Sequence, residues 1–484
     1  MAKFMMTRRD ILKASAGAAV VGPVGWHRTA MAQRSAGNAW LYSTAQGAGA
    51  FRSEDGGQWI ETTPTGLEWF FKETVRTAAY VELSDPTRRL WLRLHPSYLE
   101  WRKEPNQAWT RWLQGRWVSP GEVPPLSDYL IRLAYLVPSD RKPVAHYEEK
   151  IGVIMHFVNE LYAQSLQGSG AQMKSLPLKM KADRPAVALI RTSKPASYYN
   201  GAPRYEHNSH AHWQKLVPDI PPYVGVPQKH LILLFAETFG EEPSDVEWPG
   251  TIARGARFSK AGGVGIFSAW ILRDEFCALS VPQQRQLFFD DTPIAGRTAM
   301  GWRKPDSPRF QFIEDGVGAI THEVAHALGL AHDTRQNGRD IMGQGFRQIR
   351  WNFSDPPQAA KGGSFSEDNK RMLLSSRYLA SDLDVNDATP PELKVRIVDV
   401  ERADRSASVT IEVHASDDRS LRAILFYSVG QDSVVGGRWL VGKEQLFTQK
   451  LAIDLPRSSE IQIDVTVTDN GGNYTTQRVS PSIR

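Results

Sequence analysis

The period of apolar and polar positions changes along the chain, and the changes mark its parts. Over residues 33–120 the period is near two: Leu90-Trp91-Leu92-Arg93-Leu94 alternates, and Glu68 to Val81 is dense in aromatic and β-branched residues. With a turn at Asp85-Pro86, this predicts a β-rich module. Leu130 to Val137 then predicts a buried strand. Apolar residues at Ile151, Ile154, Met155, Val158, Leu161 and Tyr162 have helical spacing and predict a helix over Tyr147 to Leu166, ended by Gly168-Ser169-Gly170. Ala186 to Ile190 and Leu231 to Phe235 are apolar enough for central strands. Gly262 to Trp270 is the expected edge strand with the loop that leads to it, and Ile320 to Leu330 an apolar-faced helix. A Pro- and Asp-rich linker over 383–391 follows. Beyond it Leu393 to Val400, Ser408 to Ala415, Ala423 to Tyr427 and Ile461 to Thr468 alternate, and Asp469-Asn470-Gly471-Gly472-Asn473 is a strong turn. Residues 392–484 therefore predict a β-sandwich of immunoglobulin or fibronectin-III type.

The expected class is a multidomain α+β protein, with a central domain over 121–382 between two β domains. A chain of 484 residues is too long for one core. Hydrophobic residues at 41% and charged residues at 23% are ordinary for a globular protein. Tryptophans 59, 69, 91, 101, 109, 112 and 117 crowd the first module. They are either an exposed face for carbohydrate or surface docking, or large rings filling a thin core.

The formal charge of +5 is misleading. Lys3, Arg8, Arg9, Lys13 and Arg28 against Asp10 place +4 of it within residues 1–32, leaving +1 for the rest. That gives no electrostatic case for nucleic acid. The same N-terminal segment carries Thr7-Arg8-Arg9-Asp10-Ile11-Leu12-Lys13, a weakly apolar run from Ala14 to Val24, and Ala30-Met31-Ala32. It resembles a twin-arginine signal peptide, which implies export of a folded protein to the periplasm or beyond. The apolar run is too short for a stable membrane anchor. The single cysteine, Cys277, forbids an internal disulfide and lies in an apolar stretch that predicts a buried thiol.

The chemistry is concentrated in His322-Glu323-Val324-Ala325-His326-Ala327-Leu328-Gly329-Leu330-Ala331-His332-Asp333. Four residues apart on a helix, His322 and His326 project from one face and can grip one metal ion. Glu323 stands beside the first ligand as a general base toward water. Gly329 can take the left-handed conformation that ends a helix and returns the chain, so that His332 becomes a third ligand. Three nitrogens leave a fourth position open, the arrangement of a catalytic zinc.

These residues resemble the metzincin clan of zinc peptidases, whose pattern is H-E-x-x-H-x-x-G-x-x-H followed by a methionine turn. The resemblance covers residues 314–345. It implies one zinc ion on His322, His326 and His332, Glu323 as general base, and Met342 of Asp340-Ile341-Met342-Gly343 as the turn methionine beneath the metal. Asp333 looks like the reprolysin-type members, while Gly343 and Gln344 depart from the residues that often follow the methionine. The implied activity is peptide-bond hydrolysis on a polypeptide substrate held along an edge strand. Two other readings stay open: an exported binding or adhesion protein with a relic zinc site, and a zinc hydrolase acting on a non-peptide amide or ester. His207, His210 and His212 are either a second metal site or a polar surface loop. Asp417-Asp418 is either a calcium ligand pair or a solvated turn.

Overall fold

Eight antiparallel strands, from Ala39–Thr44 to Thr110–Val118, each pair with the next, and the last pairs with the first to close a barrel. Closure leaves no unpaired sheet edge. The computed structural model describes residues 37–481 apart from 45–46, 54–56, 64–67, 86–87, 120–128, 168–174, 201–208, 241–252, 386 and 456–459. The proposed signal peptide lies outside the described residues. So small a barrel must be filled by side chains, and here large rings do it. Trp40, Phe51, Trp59 and Phe71 are buried inside with Leu83, Leu92 and Leu99, and Trp69, Trp101, Trp112 and Trp117 pack partly buried against them. Gly115 makes room, since a Cβ there would lie 2.3 Å from the Trp40 ring. Trp59 Nε1 donates to Glu73 at 2.8 Å, so its polar end is satisfied. Of the two readings of the tryptophans, core filling describes Trp59. Trp109 instead lies against the guanidinium groups of Arg93 and Arg102, each 4.2 Å from its ring centroid.

From Ser127 onward the chain forms a second compact unit. Its centre is a five-stranded sheet in the order Val187–Arg191, Arg132–Val137, Leu231–Ala236, Gly263–Ser268, Ala253–Arg257. The first four strands are parallel and the last is antiparallel. Both faces are buried, which explains the unbroken apolar runs. Leu133, Tyr135 and Val137 face the helices Tyr147–Leu166 and Arg309–Ala327, while Ala134 and Leu136 face Trp213, Leu216 and Ile220.

The edge-strand expectation is corrected here. Gly263–Ser268 is an inner strand, and the edge is Ala253–Arg257. The sequence of that edge, Ala-Arg-Gly-Ala-Arg, has no apolar period to reveal it. Its glycine is needed for contact: a Cβ on Gly255 would fall 2.0 Å from the Glu323 carbonyl and 2.8 Å from His326 Cβ. The edge strand thus lies directly against the backbone of the histidine-bearing helix.

Residues beyond 391 form two antiparallel sheets around one core. One has three strands, Glu392–Arg402, Ser406–Ser416 and Glu444–Asp454. The other has four, in the order Ser433–Trp439, Leu421–Ser428, Ile463–Asp469, Tyr474–Val479. Val409, Ile411 and Val413 meet Ile424, Phe426 and Val465 between them. This sandwich does not hang from a free linker. Leu425 and Val434 belong to the same apolar core as the histidine helix. Within the expected linker Asp387 is buried, and Arg377 donates to the Val385 carbonyl at 3.1 Å. No helix among the described residues is long and apolar enough to cross a membrane.

Candidate metal centre

The helix Arg309–Ala327 brings His322 and His326 to one face, and its end sets the position of His332. Gly329 has φ +101°, a conformation in which a side chain would be strained. Its N–H reaches the His326 carbonyl at 2.9 Å, and the Leu330 N–H reaches the Ala325 carbonyl at 2.9 Å. That pair of bonds is the Schellman closure, which reverses the chain within one turn. His332 therefore returns over the helix, and His326 Nε2 and His332 Nε2 stand 3.1 Å apart. One ring nitrogen from each of His322, His326 and His332 lies within 4.8 Å of the other two.

The other ring nitrogen of each histidine is occupied by oxygen. His322 Nδ1 donates to the Ile341 carbonyl at 2.6 Å, and His326 Nδ1 to the Leu330 carbonyl at 2.8 Å. His332 Nδ1 donates to Asp432 Oδ2 at 2.9 Å. A carbonyl can only accept, so the proton of the neutral rings of His322 and His326 sits on Nδ1 and the Nε2 lone pair is free. Burial, and then the neighbouring histidines, push His322 well below its ordinary pKa and His326 down to about 4. The hydrogen bond that His332 donates to Asp432 raises His332 instead. Converging imidazole nitrogens fit a zinc ion. With Zn–N distances of about 2.0–2.1 Å, tetrahedral ligand nitrogens lie about 3.3 Å apart, close to the spacing found here for His326 and His332.

No family model matches this chain, and no curated protein matches it. Solved structures of OgpA from Akkermansia muciniphila do align with it. A catalytically inactive OgpA in complex with an O-glycopeptide substrate is 16% identical and covers 73% of this chain and 92% of its own, with a TM-score of 0.47. A wild-type OgpA crystal is also 16% identical and covers 74% of this chain and 97% of its own, with a TM-score of 0.47.

Glu323 follows the first histidine and is partly exposed. Burial lifts its carboxyl to about 7, while the Gly255 N–H opposes the shift. A cation beside it would lower it again. Met342 is fully buried, and the turn around it supports the histidines through its backbone. Ile341 supplies the carbonyl that holds His322, and the Asp333 N–H donates to the Met342 carbonyl at 3.2 Å. Asp340 Oδ1 accepts the Met342 N–H at 2.8 Å and fixes that turn. Asp333 is buried and ion-paired to Arg335, which also reaches Asp368 at 2.8 Å.

Asp432 was not foreseen. It lies 100 residues beyond His332, just before the strand Ser433–Trp439 of the sandwich, and no local motif marks it. Tyr427 donates to its other oxygen. The next two residues clamp the same turn: Ser433 Oγ accepts the Thr334 N–H at 2.8 Å, and the Val434 N–H donates to the His332 carbonyl at 2.8 Å. A carboxylate behind a metal-binding imidazole orients the ring and raises its basicity. Asp432→Ala is therefore expected to weaken zinc binding about 10- to 100-fold without unfolding the chain. Competition with a chromogenic chelator measures this, and unchanged affinity would make Asp432 a surface contact only.

The remaining candidates part ways. His207 lies outside the described residues. His210 is exposed and bonded to Gln214, whereas His212 is buried and bonded to Thr238 Oγ1 at 2.9 Å. Those two face different partners, and no metal group among the described residues includes them. Cys277 is buried in the core, and burial pushes its thiol up to about 12, which leaves it inert.

Proposed function

We propose that this chain is an exported zinc-dependent endopeptidase of metzincin type. The observation that carries the reading is the convergence of His322, His326 and His332, each with Nδ1 committed to an oxygen acceptor, beside Glu323. A zinc ion bound there would lower the pKa of a water to about 7 and polarise a scissile carbonyl. Glu323 is placed to accept the proton of the attacking water and to return it to the leaving amine. The backbone of Ala253–Arg257 is the edge along which an extended substrate would add as a further strand. Gly255 at its middle brings that strand against the helix that carries Glu323. The C-terminal sandwich supplies Asp432 and would so be part of the catalytic unit. Export by the twin-arginine route rests on Thr7 to Lys13 and Ala30-Met31-Ala32.

The test is metal content together with cleavage of a peptide library, offered as bare peptides and as the same peptides carrying O-linked sugars. One zinc per chain with cleavage of internal peptide bonds supports the proposal. Zinc with hydrolysis of esters or small amides alone would point to a non-peptide hydrolase. Zinc without turnover of any substrate would point to the binding protein.

A further inference from the structure

We propose that Asp387, Asp417 and Asp469 form a calcium site that fastens the segment before the sandwich onto the sandwich itself. The three residues come from separate stretches: the segment between Asp382 and Pro391, the turn after Ser406–Ser416, and the end of Ile463–Asp469. One carboxylate oxygen of each lies within 4.8 Å of the other two. Calcium takes oxygen ligands at about 2.3–2.6 Å, so oxygens on opposite sides of one ion lie up to about 5 Å apart. The cluster contains no nitrogen or sulfur donor, which sets it apart from the three histidines and favours a hard cation over zinc.

The hydrogen bonds explain why the carboxylates are poised rather than merely crowded. Each uses one oxygen to fix its own turn. Asp387 Oδ1 accepts the Thr389 N–H at 3.1 Å. Asp417 Oδ1 accepts the N–H groups of Arg419 and Ser420 at 2.8 and 2.6 Å. Asp469 Oδ1 accepts those of Gly471 and Asn473, each at 2.8 Å. The second oxygen of Asp469 accepts from Asn473 Nδ2 at 2.8 Å, whereas Asp387 Oδ2 and Asp417 Oδ2 are buried with no hydrogen-bond partner. Asp387 is only 1% exposed and Asp469 is fully buried. A buried, unpartnered carboxylate oxygen is costly unless a proton or a cation meets it.

Burial raises all three carboxyls, Asp469 to about 7, and the acids raise one another: Asp417 and Asp418 act on Asp387, and Asp387 and Asp417 on Asp469. Of the nearby cations, Arg419 acts on Asp387 and Asp417, and it is itself paired to Asp384. Ionised together, the three carboxylates would carry more negative charge than Arg419 alone offsets. Calcium would supply the difference, with water and the second carboxylate oxygens completing its shell.

The experiment is equilibrium dialysis of the zinc-loaded full chain against radiolabelled CaCl2 at pH 7.5, with thermal melts alongside. One calcium per chain, half-saturating below about 1 mM, is expected, together with a higher Tm in CaCl2. Asp387→Asn keeps the side-chain volume and should weaken binding at least about tenfold and abolish the Tm rise. His326→Ala, which disables the proposed zinc site, should still take up its calcium. This separates failure of the calcium site from failure of the peptidase reading. Absence of stoichiometric binding to the wild type at several times that concentration would overturn the proposal whatever the variants do. So would equal binding by Asp387→Asn, which would place the calcium elsewhere, or loss of calcium in His326→Ala, which would place it at the histidines.

Discussion

Glu323→Gln is expected to retain one zinc per chain and to lose turnover by about 10²- to 10⁴-fold, the range that a positioned general base contributes. Glutamine has nearly the same shape and can still accept the Gly255 N–H that faces this side chain. Helix, edge strand and histidines should therefore stay in place. What disappears is the ability to take a proton from water. The loss should fall on kcat rather than on peptide affinity, because the proposed function has substrate held along Ala253–Arg257 and not by this carboxyl. Metal analysis and steady-state peptide kinetics on the same preparation decide it. Loss of zinc from the variant would make Glu323 a structural support, and undiminished turnover would remove it from the mechanism.

The second large effect is expected from His326→Ala. His326 is the middle of the three, with ring centroids 4.7 Å from both His322 and His332. Its Nδ1 also holds the Leu330 carbonyl, which belongs to the turn that returns the chain. The substitution should therefore abolish stoichiometric zinc and detectable cleavage. It should also cost about 1–3 kcal/mol of stability from the carbonyl left unpaired. A urea titration read beside the metal analysis separates the two losses. A variant that kept zinc at wild-type affinity would show that the histidine cluster is not where the metal binds.

The sequence was most informative where a local rule coincided with the tertiary requirement. The helix Tyr147–Leu166 shows in the spacing of Ile151, Ile154, Val158 and Leu161, all of which are fully buried. Gly329 is legible because its conformation is demanded by the turn itself. The strands Arg132–Val137 and Leu231–Ala236 are legible because both faces of their sheet are covered. What was missed depends on long-range pairing. Ala253–Arg257 is a strand only because it pairs with Gly263–Ser268, and its small and basic residues carry no periodic signal. The first part of the histidine helix, from Arg309, was also missed, although Phe310, Phe312 and Ile313 are buried there. In the sandwich, Glu444–Asp454, at one end of its sheet, is not among the alternating runs read from the sequence. At the site, His322, Glu323, His326 and His332 could be named in advance, but Asp432 could not, because nothing in one dimension connects it to His332.

That separation along the chain also orders events in time. At about 5–20 residues per second, the ribosome needs about 5–20 s after making His332 before Asp432 exists. Until the sandwich folds, His322 and His326 can already find their partners at Ile341 and Leu330, close by in sequence, while His332 has no carboxylate behind it and the turn over 332–334 has no clamp. A nascent or truncated chain thus carries two oriented histidines and one loose one, and would be a weak metal trap. The complete set arises only when the last domain docks. For the peptidase proposed above, this would defer hydrolytic competence until the last domain has been made.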